Sequence, residues 1–192
     1  MNSKEIIFQA LHNAGVEPLE RPTRVFHPME YFDPAERLPQ ALKEAAVNVV
    51  EQQPGETVVD IIAREYPEAK RIVSSLPDVS IATENPENIE DARQLDGVDV
   101  AVIPGAFAVL ENGAIWVPRT EKHKALMFIA ENLVILLDKT HIVGNMHDAM
   151  HHPLMQNPDF GCFIAGPSKT ADIEQALVIG AHGARAVTVI LQ

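Results

Sequence analysis

Five short runs built on apolar and β-branched residues punctuate the chain after residue 70: Arg71–Ser74, Val98–Ile103, Leu133–Leu137, Phe160–Ala165 and Ala186–Leu191. Their lengths and composition mark them as strands, and the stretches between them carry turns or helical periodicity. A strand, a helix and a strand in succession imply a βαβ crossover, hence a parallel sheet. The clearest such unit is predicted at the end: Phe160–Ala165 as a strand, Gly166-Pro167 as a turn, 170–180 as a helix and Ala186–Leu191 as a strand.

The first third reads differently. Ile6, Ile7, Ala10 and Leu11 fall at helical spacing, so 3–13 is expected to be a helix stopped near Gly15. The segment 16–39 carries Pro18, Pro22, Pro28, Pro34 and Pro39 and reads as an irregular arm, with Phe26, Tyr31 and Phe32 to be packed. Leu42, Ala45, Ala46, Val49 and Val50 extend a helical pattern over 40–53, which Pro54-Gly55 breaks; a further helix is expected over 56–66. Later expectations are a short helix from Asn85-Pro86 to Leu95, helices over 121–130 and 144–151, and a hairpin joining Phe107–Leu110 to Ala114–Val117. The result is one α/β domain, with residues 1–66 as a helical arm packed on a core of 67–192.

Composition excludes several functions. Acids outnumber bases 27 to 15, for a formal charge of −12, which disfavours extended contact with nucleic acid or an anionic membrane. Cys162 is the one cysteine, so this chain holds no internal disulfide, four-cysteine zinc site or cysteine-ligated iron–sulfur cluster. No run reaches the roughly 18–20 apolar residues of a membrane span, and Met1–Ile7 lacks a signal-peptide core, so a cytoplasmic protein is expected. Neither GxGxxG nor GxxxxGK[ST] occurs.

The strongest chemical signal is Gly166-Pro167-Ser168-Lys169-Thr170-Ala171-Asp172-Ile173-Glu174, between a strand and the expected helix. Unpaired N–H groups and the dipole make a helix start positive, Lys169 adds a full charge, and Gly166, Ser168, Lys169, Thr170 and Asp172 together form a candidate receptacle for a carboxylate or phosphate. Such a crevice belongs beyond the carboxyl ends of parallel strands. The alternative is plain capping by Ser168 or Thr170, with Lys169 solvated. Asn112-Gly113 favours a type I′ hairpin turn, and the same turn can aim Glu111 as a nucleophile or base. His182 in Gly180-Ala181-His182-Gly183 is either a helix-end residue or a proton-transfer group. His147 and His151 share a helix face and suit a metal only if a third ligand converges, with His141 and His152 nearby. Cys162 reads as an inert buried thiol and Trp116 as a core anchor.

The run from Gly166 to Glu174, followed by Gly180-x-His182-Gly183 and a terminal strand, resembles the lactate-utilisation (LUD) domain family, in particular its short single-domain LutC/YkgG-type members. The resemblance extends from about residue 70 to the end. It implies a Rossmann-like fold of the NagB/RpiA/CoA-transferase group, a mostly parallel sheet flanked by helices. It also implies a place beside partner proteins that oxidise lactate to pyruvate. Two departures stand out: Asn112 and Ala114 replace hydroxyl residues usual in the middle hairpin, and Ala184 replaces a proline that often follows His-Gly. Two electrons must leave lactate, and this chain has no cofactor fingerprint of its own. Iron–sulfur or other redox centres are therefore expected on cysteine-rich partner chains, with this chain as a substrate-anion-binding or accessory subunit. Glu111-Asn112-Gly113 is also similar to the Glu-Asn-Gly motif of class I CoA-transferases, which makes acyl transfer through Glu111 the rival reading; a non-catalytic scaffold is a third, and a homo-oligomer is left open.

Overall fold

The computed structural model describes residues 2–15, 20, 33–155, 159–169 and 178–192. Two sheets carry the fold. The first is wholly parallel, in the order β1 (Asn48–Glu51), β9 (Ala186–Leu191), β6 (Asn132–Leu137), β3 (Val100–Pro104) and β2 (Ile72–Val73). The second runs β7 (Ile142–Val143), β4 (Phe107–Val109), β5 (Ala114–Pro118) and β8 (Gly161–Ile164), with β4–β5 and β5–β8 antiparallel.

Alternation within each central strand sends side chains to two cores. Leu133, Ile135 and Leu137 of β6 join Ala101, Ile103, Val187 and Val189 in the core between the two sheets. Val134 and Leu136 point the other way, toward Val58, Ile61 and Ile62 of α3 (Val58–Glu65). Burial on both faces explains why the central strands read as continuous apolar runs. Thr188 is the polar exception on the α3 side, and its hydroxyl is satisfied 2.7 Å from that of Tyr66. The second sheet covers one face of the first and packs its own outer face, Phe107, Val109 and Trp116, against Ala149 of α5 (Met146–Met150).

The mostly parallel α/β architecture is as expected, and several elements differ. Residues 40–53 are not one helix. α2 (Pro34–Glu44) begins inside the proline-rich segment, because Asp33 caps it and Pro34 occupies its first turn. It ends in a Schellman motif, with Val47 N–H donating to Leu42 O and Ala46 N–H to Lys43 O. Val49 and Val50 then pair with Val189 and Ile190 as β1, so the sheet draws a strand from the segment expected to be a helical arm. Phe26, Tyr31 and Phe32 lie outside the described residues. α1 (Ser3–Asn13) has the expected bounds and a capping box between Asn2 and Glu5, and none of its residues is buried. Two 3-10 turns, Pro86–Asn88 and Ala92–Leu95, replace the single helix expected there, and α4 (Leu126–Ile129) is all that forms of the helix over 121–130.

The largest correction concerns the end of the chain. β8 and β9 are not neighbours in one sheet. β8, partly exposed along its length, is the edge of the second sheet, whereas β9 is buried in the middle of the first. A strand apolar on both faces takes the central place, and a half-exposed one takes the edge.

Candidate functional site

The link from β8 to β9 builds the site. Gly166 has φ +76°, and a Cβ there would lie 1.8 Å from Ala45 O, so only glycine lets the chain pass over the last turn of α2. Gly113 does the same from the hairpin, at φ +66° and 2.3 Å from Ala41 O. Lys169 Nζ donates to Ala45 O at 3.0 Å, which places a cation at the negative end of α2. Ser168 N–H donates to Ala184 O and Gly180 N–H to Ser168 O, both at 2.9 Å, while Lys169 pairs with Ile179 in an antiparallel bridge. Thr170 and Asp172, and most of the helix expected over 170–180, lie outside the described residues. Residues 178–180 are not helical; Gly180, at φ +77°, serves the bridge.

Beside this link is a pocket of about 220 Å³. Gly166, Ser168, His182 and Gly183 form its polar side. Met127 and Phe128 of α4, Leu133 of β6, Cys162 and Phe163 of β8 and Val187 of β9 form its apolar side. Gly183 is needed for the fit, since a Cβ there would approach Ser168 Cβ to 3.0 Å. Among the described residues, no Asp or Glu lines the wall. Leu133 and Val187 stand near the amino ends of their strands, so the pocket opens at the amino end of the parallel sheet and not, as expected, at the carboxyl end. The reason is the correction above: the Gly166–Lys169 segment leaves a strand of the second sheet and enters β9 from its start.

The pocket unites Gly166, Ser168 and His182 but has neither Lys169 nor Glu111 in its wall. The Glu111 carboxylate accepts the Met146 N–H at 2.9 Å, at the first turn of α5. The hairpin is present, with Phe107 opposite Trp116, but its loop is Leu110–Gly113 and only Gly113 has positive φ, so the type I′ turn does not form. Leu110 is buried, and the N–H groups of Leu110 and Glu111 donate to Val143 O and Gly144 O, which draws the loop along β7. His147 and His151 do share a face, their ring centroids 4.8 Å apart, but His151 Nδ1 lies 2.8 Å from His147 O. Among the described residues no group of three or more His, Cys, Asp or Glu is placed to hold a metal.

Sequence reasoning missed Met127, Phe128 and Cys162 as pocket walls. Their spacing carries no ligand signature; only the tertiary fold sets α4 and β8 around one pocket. Cys162 is partly exposed and not the fully buried thiol expected, and such burial as it has raises its thiol above its ordinary value. Glu121 also escaped notice. It is 2% exposed; one carboxylate oxygen accepts from Ser75 Oγ at 2.7 Å and the other has no partner. Burial, outweighing the hydrogen bond from Ser75, raises its carboxyl above the usual range.

Two further clefts lie at the amino end. One is walled by Glu65, Glu68, Asp99 and Glu131, and the other by Asp99, Glu131 and Arg185, whose guanidinium is paired with Glu131 at 2.8 Å. Both present carboxylates to any incoming anion; among the described residues, the Ser168 pocket does not.

Comparison with known proteins follows the same outline. A crystal structure of a DUF162 family protein from Deinococcus radiodurans superposes with a TM-score of 0.63 at 16% identity, covering 85% of this chain and 99% of that one, and so shares the fold. Lactate utilization protein C of Oceanobacillus iheyensis is 28% identical over 121 residues, 59% of this chain and 49% of that protein. Lactate utilization protein C of Geobacillus kaustophilus is 30% identical over 104 residues, 50% of this chain and 42% of that protein. The chain spans about half the length of the curated relatives it matches. The family model described as LUD domain matches residues 4–192, and with the fold and the C-terminal motif in place the chain belongs to the LUD domain family.

Proposed function

We propose that the pocket between β8 and α4 binds a small carboxylate, and that the protein serves lactate utilisation in the cytoplasm as a substrate-binding or accessory subunit. The observation that carries this reading is the pocket wall: Ser168 and His182 offer hydrogen-bond donors, and among the described residues no acid lines the wall beside them. The Ser168 hydroxyl and the His182 imidazole hold the two carboxylate oxygens. The apolar side excludes water and so strengthens those bonds. Lys169 acts indirectly, by fixing the Gly166–Lys169 link onto α2. The relatives named for lactate utilisation support the pathway. With one cysteine and no cofactor fingerprint in the sequence, the electron carrier is assigned to iron–sulfur and cysteine-rich partner chains.

Calorimetric titration with L-lactate, pyruvate and phosphate tests the site. Ser168→Ala and His182→Ala are each expected to weaken carboxylate binding about tenfold, the value of a hydrogen bond to a charged group. Unchanged affinity in both variants removes the site. The isolated chain is expected to reduce no dye acceptor with lactate; turnover without partners contradicts the division of labour.

A further inference from the structure

We infer that the ligand this pocket prefers is a monocarboxylate bearing a bulky apolar group, aryl or branched alkyl, over a three-carbon hydroxy acid or a phosphate. The inference rests on the carboxylate-binding reading above and specifies its ligand class.

Size is the first argument. The pocket offers about 220 Å³. An apolar cavity of about 150 Å³ already admits benzene. A three-carbon acid would leave most of the space to water lying against Met127, Phe128, Leu133, Phe163 and Val187. Filling that space with hydrocarbon is favourable by about fourfold in affinity per buried methylene.

Charge is the second. Among the described residues of the wall, His182 is the one basic side chain. The neighbouring ammonium, on Lys169, is committed to Ala45 O. One imidazole and one hydroxyl suit a single carboxylate and leave the second charge of a phosphate or dicarboxylate uncompensated in an apolar setting. The layout is also one-sided, with polar groups from the 166–168 and 182–183 segments facing apolar groups from α4 and the strands. That arrangement fits a molecule with a charged head and an apolar tail.

The test uses the full chain and four probes: phenyl-lactate, 4-methyl-2-oxopentanoate, L-lactate and inorganic phosphate. Affinity is read by calorimetry. Occupancy of the pocket is read by the rate at which iodoacetamide alkylates Cys162, the chain's one cysteine and a wall residue. The two bulky acids are expected to bind at least tenfold more tightly than lactate, with phosphate weakest, and to slow alkylation at least fivefold. Ala165→Phe places bulk at an exposed wall position and is expected to weaken phenyl-lactate about tenfold while moving lactate less than twofold. Lactate binding as tightly as phenyl-lactate overturns the inference and leaves the carboxylate site standing. Failure of every carboxylate to bind overturns both. Phenyl-lactate binding that neither protects Cys162 nor responds to Ala165→Phe places the acid elsewhere and also overturns the inference. The alkylation assay needs no variant, so it decides even if the substituted protein does not fold.

Discussion

The amino and carboxyl ends of the parallel sheet are finished in opposite ways. At the carboxyl end the chain closes on itself. Ser74 Oγ donates to Val102 O, Ser75 Oγ donates to Glu121, Gly105 N–H reaches Leu136 O, and Gln52 N–H reaches Leu191 O. At the amino end Asp99 accepts from the Lys70 and Arg71 N–H groups, Lys169 Nζ donates to Ala45 O and Arg185 pairs with Glu131, and three clefts lie among these contacts. Parallel α/β sheets ordinarily bind ligands beyond the carboxyl ends, where loops leave a crevice at a switch in strand order. In this chain a two-residue link after β3 leads into the second sheet, which packs across one face of the first. Among the described residues, the Ser168 pocket and the two acidic clefts all lie at the other end.

The contrast can be broken at its tightest point. Gly166→Ala demands a positive φ from alanine and drives a methyl into Ala45 O. It is expected to cost about 3 kcal/mol or more in chemical denaturation. Gly55→Ala, also at positive φ but with nothing within 4 Å, is expected to cost about 1 kcal/mol. Equal losses at the two positions would mean that the contact with α2 contributes nothing.

The carboxyl end is probed through Glu121. Its folded carboxyl is raised above the ordinary 4.5 by burial. A raised acid binds its proton more tightly when folded. Its contribution to stability is therefore complete below the unfolded value and is lost as pH rises through the folded one. Glu121→Gln keeps an acceptor for Ser75 and removes the ionisation. It is expected to stabilise the protein by about 1 kcal/mol at pH 8 and to flatten the decline of stability above pH 4.5. A Tm-versus-pH profile identical to that of the parent would contradict this. The smallest effect belongs to Lys169→Ala: a loss of about 0.5 kcal/mol from the end of α2, with carboxylate affinity unchanged within twofold. A tenfold loss of affinity would return Lys169 to the ligand.

Local features were legible because their causes are local. The helical spacing of α1 and α3 depends on residues within a turn or two, whereas the start of α2 rests on the cap at Asp33, a signal that the prolines around it obscure. The helix expected over 40–53 failed for a related reason. Ala45 and Ala46 fit helical spacing, and the αL conformation of Ala46 at φ 66° is imposed by the chain turning into β1. In the site, Gly166, Ser168 and His182 stood out in the sequence, while the assignment of Lys169 and Glu111 to the same cleft did not follow. Each has a backbone partner far along the chain, at Ala45 and at Met146.

The sequence by itself determined the strands other than β1 and β7, the buried character of β6 and the helical spacing of α1 and α3. These follow from periodicity, which acts over a few residues. Only the tertiary structure decided that β8 and β9 part into different sheets, that α2 lies under both glycine loops, and that Cys162, Phe128 and Val187 face Ser168 across one pocket. Those outcomes depend on which distant apolar surfaces bury each other most completely, a quantity no short stretch of the chain contains.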